Sequence, residues 1–76
     1  MYRECYAKEI GQRLREKRGY KPRRVVSEET GITERALTSY ELGERIPKDN
    51  VKIQLAEYFG TTVEALFFAN STTRNE

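Results

Sequence analysis

The side chains of this sequence that can do chemistry are basic and hydroxylic rather than nucleophilic or metal-binding. Nine Lys/Arg against three Asp/Glu fall in residues 1–24, a local +6, whereas residues 25–44 hold one arginine against five glutamates, a local −4. A basic third on a folded domain supplies the field that phosphate backbones attract; the competing reading is an ordinary solvated helix face. There is no histidine, and Cys5 is the single cysteine. That inventory excludes an internal disulfide, a Cys/His zinc site and any Ser-His or Cys-His pair. Cys5 reads as a small, partly buried hydrophobe. Nothing offers the base, nucleophile or metal cluster of an enzyme, and no cofactor or metal is expected.

These residues must be positioned by a small scaffold. Seventy-six residues, 37% hydrophobic and 34% charged, make one domain of a size that folds alone only marginally. No apolar run approaches the roughly 20 residues of a membrane-spanning helix, and the N-terminal MYRECYAKEI lacks the apolar stretch of a signal peptide, so the expected location is cytoplasmic. Ala7, Ile10 and Leu14 give a narrow apolar stripe on a first helix over 6–18. Pro22 suits the first turn of a second, running through Arg23 to about Thr30 and ending at Gly31. Thr33 caps a third that reaches about Leu42 before Gly43. Pro47 starts a fourth, Lys48 to Phe59, closed by Gly60, with Val51, Leu55, Ala56 and Phe59 on one face. Thr61 and Glu64 read as a capping box for a fifth helix that holds Val63, Leu66 and Phe67. No segment alternates like a strand. An all-α fold follows, with a domain over 1–69 and a polar, fraying tail over 70–76.

Arg23 to Leu42 places two helices around a tight turn at Gly31. Ser27 is small enough for close helix approach, while Val26, Ile32, Leu37 and Tyr40 fill the wedge between them. Together with IGQRLREKR, ETGITERALTSYELGERIPK and LAEYFGTTVEALF, this pattern resembles the helix-turn-helix domain of phage Cro and repressor proteins, the xenobiotic-response-element family. The resemblance covers Ile10 to Phe67 and implies a five-helix, lambda-repressor-like domain. Its specific part is Gly-Ile-Thr followed by Tyr-Glu-x-Gly-x-Arg-x-Pro. The sequence departs from the family at Ser27 (usually alanine), Thr30 (usually a larger aliphatic) and Arg23 (usually glutamine). The loop between the first two helices is about two residues short. Thr30 and that loop call for local repacking, with Tyr20 available to cover the gap.

The resemblance makes the third helix the reader of a DNA major groove. At about 100° per residue, Arg35, Thr38, Ser39 and Leu42 share its outward face, with Glu34 at the edge, while Ala36, Leu37, Tyr40 and Glu41 point inward. The Arg35 guanidinium can meet guanine O6 and N7 together, with a phosphate contact as the alternative. Glu34 can accept from cytosine N4 or orient Arg35. Thr38 and Ser39 offer short hydrogen bonds or a thymine methyl contact. Arg23, Arg24, Thr33, Arg45 and Lys48 are the expected phosphate contacts. Lys8, Arg13 and Arg15 read as a solvated face. The family also implies a structural ion pair between Arg18 and Glu41.

Such domains bind inverted-repeat operators as twofold dimers. Ile53 and Phe68, both off the expected core faces, are candidates for a weak homodimer patch, unless helix five wraps them within the chain. Unless it is a fragment of a longer protein, a chain of this length reads as a stand-alone, Cro-like repressor of phage or mobile-element type, without a small-molecule ligand. The alternative is a protein-interaction module, antitoxin-like or an anti-repressor partner, that keeps the fold without operator binding. Glu34 and the acidic stretch from Ser27 to Glu29 favour it; the basic residues oppose it.

Overall fold

A computed structural model describes residues 2–68, with side chains from Tyr6 onward. Cys5's side chain and the tail over 70–76 therefore lie outside the description, as does the expected domain limit at residue 69. Five α-helices follow one another: α1 (Tyr2–Arg18), α2 (Arg23–Thr30), α3 (Glu34–Glu41), α4 (Asp49–Tyr58) and α5 (Val63–Phe67). No strand occurs among the described residues. Ile10 and Leu14 of α1, Val26 of α2, Leu37 and Tyr40 of α3, Leu55 and Ala56 of α4, and Leu66 and Phe67 of α5 enclose a single core. Every helix contributes to it, so no pair of helices could keep its apolar face dry alone.

The helix ends show how local chemistry sets the architecture. Thr33 Oγ1 accepts from the Ala36 backbone N–H at 3.1 Å, as its position ahead of α3 demands. Gly31 ends α2 at φ +85°, donating its N–H to Ser27 O at 2.8 Å. This left-handed conformation disfavours any residue with a Cβ, although a Cβ there would meet nothing within 4 Å. Gly31→Ala should therefore lower stability by about 1–2 kcal/mol, from backbone strain alone. A urea midpoint equal to the parent's would contradict that reading.

The structure moves several expected boundaries. α1 begins at Tyr2 rather than near residue 6, because its first turn lies ahead of the apolar stripe and leaves no periodic signal. Pro47 does not start α4; it is buried in the preceding linker, and the helix begins at Asp49. The cap of α5 is Thr62, not Thr61: Thr62 Oγ1 accepts from Ala65 N–H at 3.0 Å. Thr61 is already used by α4. Its N–H bonds Ala56 O at 2.9 Å while Gly60 N–H bonds Glu57 O at 3.2 Å, the paired closure of a Schellman turn.

Tyr20 does not cover the shortened loop; it stands fully exposed. The Lys21 N–H bonds Arg18 O at 3.1 Å and the Arg18 guanidinium bonds Lys21 O at 3.0 Å, a turn so tight that Tyr20 projects from its outer side. The bracing comes from Lys21 instead. Its ammonium donates to Tyr58 Oη at 2.9 Å and lies 3.6 Å from Glu29, which in turn accepts from the Tyr58 hydroxyl. That hydroxyl holds the Glu29 carboxyl below its ordinary range, with help from Lys21. The depressed value means this bracing is present above the usual glutamate titration and fades as pH falls through the folded value. Thr30, the other departure, spends its hydroxyl on backbone: it donates to Val26 O at 2.7 Å and accepts from Ile32 N–H at 3.1 Å. A polar side chain is thus accommodated where an aliphatic one would pack.

One feature of α1 decides where α3 lies. A Cβ built on Gly11 would stand 2.3 Å from Glu41 O and 2.7 Å from Tyr40 O. The two helices cross at backbone contact, which only a glycine permits.

Candidate nucleic-acid interface

α3 is held from behind by charge as well as by packing. Glu41, 6% exposed, is the buried charged residue of its inner face. Arg18 grips it with two parallel bonds, Nε to Oε2 at 2.7 Å and Nη2 to Oε1 at 2.8 Å. This is the expected Arg18–Glu41 pair. Arg23 adds a bond from Nε to Oε1 at 3.0 Å, so one carboxylate joins α1, α2 and α3. The hydrogen bond to Glu41 raises the Arg18 pKa above its ordinary value despite partial desolvation. Arg23's bond to Glu41 was not legible in the sequence, where nothing in the spacing of residues 23 and 41 marks it.

In front of this anchor, Glu34 and Arg35 are exposed and Thr38 and Ser39 half-buried, in the order that helical periodicity gives. Thr38 donates its hydroxyl proton to Glu34 O at 2.9 Å, so its oxygen can still accept. Glu34 occupies the first turn of α3, where a carboxylate also complements the helix dipole. Ser39 has a second task through its backbone. Its carbonyl accepts from Glu44 N–H at 2.9 Å and Arg45 N–H at 3.4 Å, folding the chain back behind Gly43. The Arg45 guanidinium then lies 5.5 Å over the Tyr40 ring, a cation–π contact that fixes its stem.

The remaining cations flank this helix. Among the described residues Arg24 makes only a 3.5 Å surface pair with Glu28, both mostly exposed, which leaves it available to an anion. α2 has no side-chain cap; Val25 N–H bonds Pro22 O at 3.0 Å, and the positive end of the helix dipole lies at Arg23 and Arg24. Thr33's oxygen is engaged in capping, yet its hydroxyl proton can still be donated. Lys48 is exposed at the start of α4. Arg23 is partly committed to Glu41 but keeps its terminal nitrogens.

One other assignment changes. Arg13 is not part of a solvated face: its Nη1 donates to Leu66 O at 2.6 Å and its Nη2 is buried without a hydrogen-bond partner among the described residues. Ile53 is half exposed on α4, whereas Phe68 stacks on Tyr6 at 6.2 Å and lies under the Lys52 ammonium at 5.1 Å.

Two helices meeting across a left-handed glycine, the second pinned from inside and open outside, define a helix-turn-helix domain. A helix-turn-helix family model matches residues 12–66, well over half of the chain, and the chain belongs to that family in its Cro and xenobiotic-response-element branch. No curated protein and no solved structure matches the chain. It is a DNA-binding regulator of this type. Among the described residues no helix is long and apolar enough to cross a membrane.

Proposed function

We propose that the chain is a cytoplasmic, Cro-like repressor of phage or mobile-element type that binds an inverted-repeat operator as a twofold dimer. The observation that carries this reading is the division of α3: an outward face of Glu34, Arg35, Thr38 and Ser39 over a buried Glu41 held by two arginines. Arg35 is the principal reader and meets guanine through its fork; Glu34 accepts from cytosine or steadies Arg35; Thr38 and Ser39 make short contacts. Arg23, Arg24 and Thr33 contact phosphates at one side of the groove, and Arg45 and Lys48 at the other. Ile53 and Phe68, both partly exposed, supply a small apolar patch for a weak dimer that DNA completes. Neither enzymatic activity nor a small-molecule effector belongs to this account.

Incubating the protein with a random-sequence duplex pool, across a salt series, tests it. The expected result is an enriched inverted repeat whose half-site centres lie about 10 base pairs apart, with affinity falling steeply as salt rises. Retention without enrichment would reduce the protein to an electrostatic binder. No retention at low salt would favour the protein-interaction reading, in which Glu34 and its acidic neighbours face a protein partner.

A further inference from the structure

Lys8, Gln12 and Arg15 of α1 are spaced i, i+4 and i+7, and all three are exposed. With Glu41 and Leu42 they line an open groove between α1 and the C-terminal end of α3. The elements touch there, since a Cβ on Gly43 would lie 2.8 Å from Lys8 Cγ. Glu41 does not make the groove acidic, because its carboxylate is 3% exposed and held by Arg18 and Arg23. Neither Lys8 nor Arg15 pairs with a carboxylate among the described residues. Leu42, 51% exposed, continues the outward face of Arg35, Thr38 and Ser39. The basic stripe therefore borders the far end of the proposed reading face.

Scale says what lies beside that end. The eight residues of α3 rise roughly 12 Å, about the width of the major groove. With Arg35 at the base edges, the Leu42 end stands at the lip of the groove, where the phosphates run. We infer that Lys8, Gln12 and Arg15 form an additional backbone clamp, two cations and an amide donor that hold phosphates beside the C-terminal end of α3. The clamp rests on the DNA-binding reading. It gives α1, otherwise a scaffold helix, a direct part in affinity but none in base preference. An acidic protein segment would suit the same cations; continuity with the α3 face favours DNA.

The test is a salt titration of binding to a random-sequence duplex, comparing the full chain with Lys8→Gln/Arg15→Gln, which keeps an aliphatic stem beside Gly43. Each neutralised phosphate contributes about 0.9 to the slope of log affinity against log salt. The double variant should lose about 1.8 of slope and roughly 60-fold in affinity at 0.1 M salt, with its melting midpoint unchanged. Arg15→Gln alone should lose about 0.9, which separates a lost contact from a lost fold. Variants with the parent's slope and affinity would overturn the clamp while leaving DNA binding intact. Failure of the parent itself to retain duplex at low salt would overturn the DNA-binding reading, and the clamp with it.

Discussion

Gly11→Ala is expected to destabilise the domain by about 2–3 kcal/mol, although alanine is the better helix former by about 1 kcal/mol. The added methyl would sit 2.3 Å from Glu41 O, where carbon and oxygen normally stay beyond about 3.3 Å. The obstacle is backbone, so no rotamer change relieves it. α1 must move off α3, and the carbonyl that moves belongs to the residue whose side chain Arg18 and Arg23 hold. A domain of 76 residues has roughly 4–11 kcal/mol to lose, so the effect is large. Urea unfolding measures it. A midpoint equal to or above the parent's would mean that helix propensity wins and that the two helices can separate freely.

The second large effect belongs to Glu41. Glu41→Ala leaves the Arg18 and Arg23 guanidiniums facing each other without their shared carboxylate. Stripping one member from a buried pair costs about 3–5 kcal/mol; Arg23 is a third exposed and can swing to water, so the lower end applies. The loss should appear as a lower melting midpoint. Base preference should persist wherever the variant remains folded, because Glu41 faces inward. An unchanged midpoint would remove Glu41 from the structural role given to it here, and an altered consensus would place it at the DNA.

These two residues also show how far the sequence could be read. Glu41 was legible, since helical periodicity turns it inward and the family resemblance supplies Arg18 as partner. Gly11 was not. Periodicity says which face a residue occupies but not how closely a neighbouring helix approaches, although a glycine inside a helical pattern was the available signal. Thr33 and Gly31 announced the turn around which α2 and α3 fold because capping and left-handed backbone are local properties. Where two local signals competed, at Thr61 and Thr62, the closure of the preceding helix decided, and that depends on where α4 ends. Arg13, Arg23 and Lys21 escaped for a different reason. Long basic side chains reach a carbonyl, a tyrosine hydroxyl and a carboxylate 53, 37 and 18 residues away, and no spacing records where such a chain will land.

In the proposed function the outward face of α3 reads sequence, with Arg35 as its chief instrument. Selecting duplexes from a random pool with the parent and with Arg35→Ala, under the same salt, tests it most directly. One guanine position in each half-site should lose its preference, at about 1–3 kcal/mol, while the other positions and the melting midpoint are kept. An identical consensus from both proteins would contradict it and move sequence reading away from α3's exposed arginine.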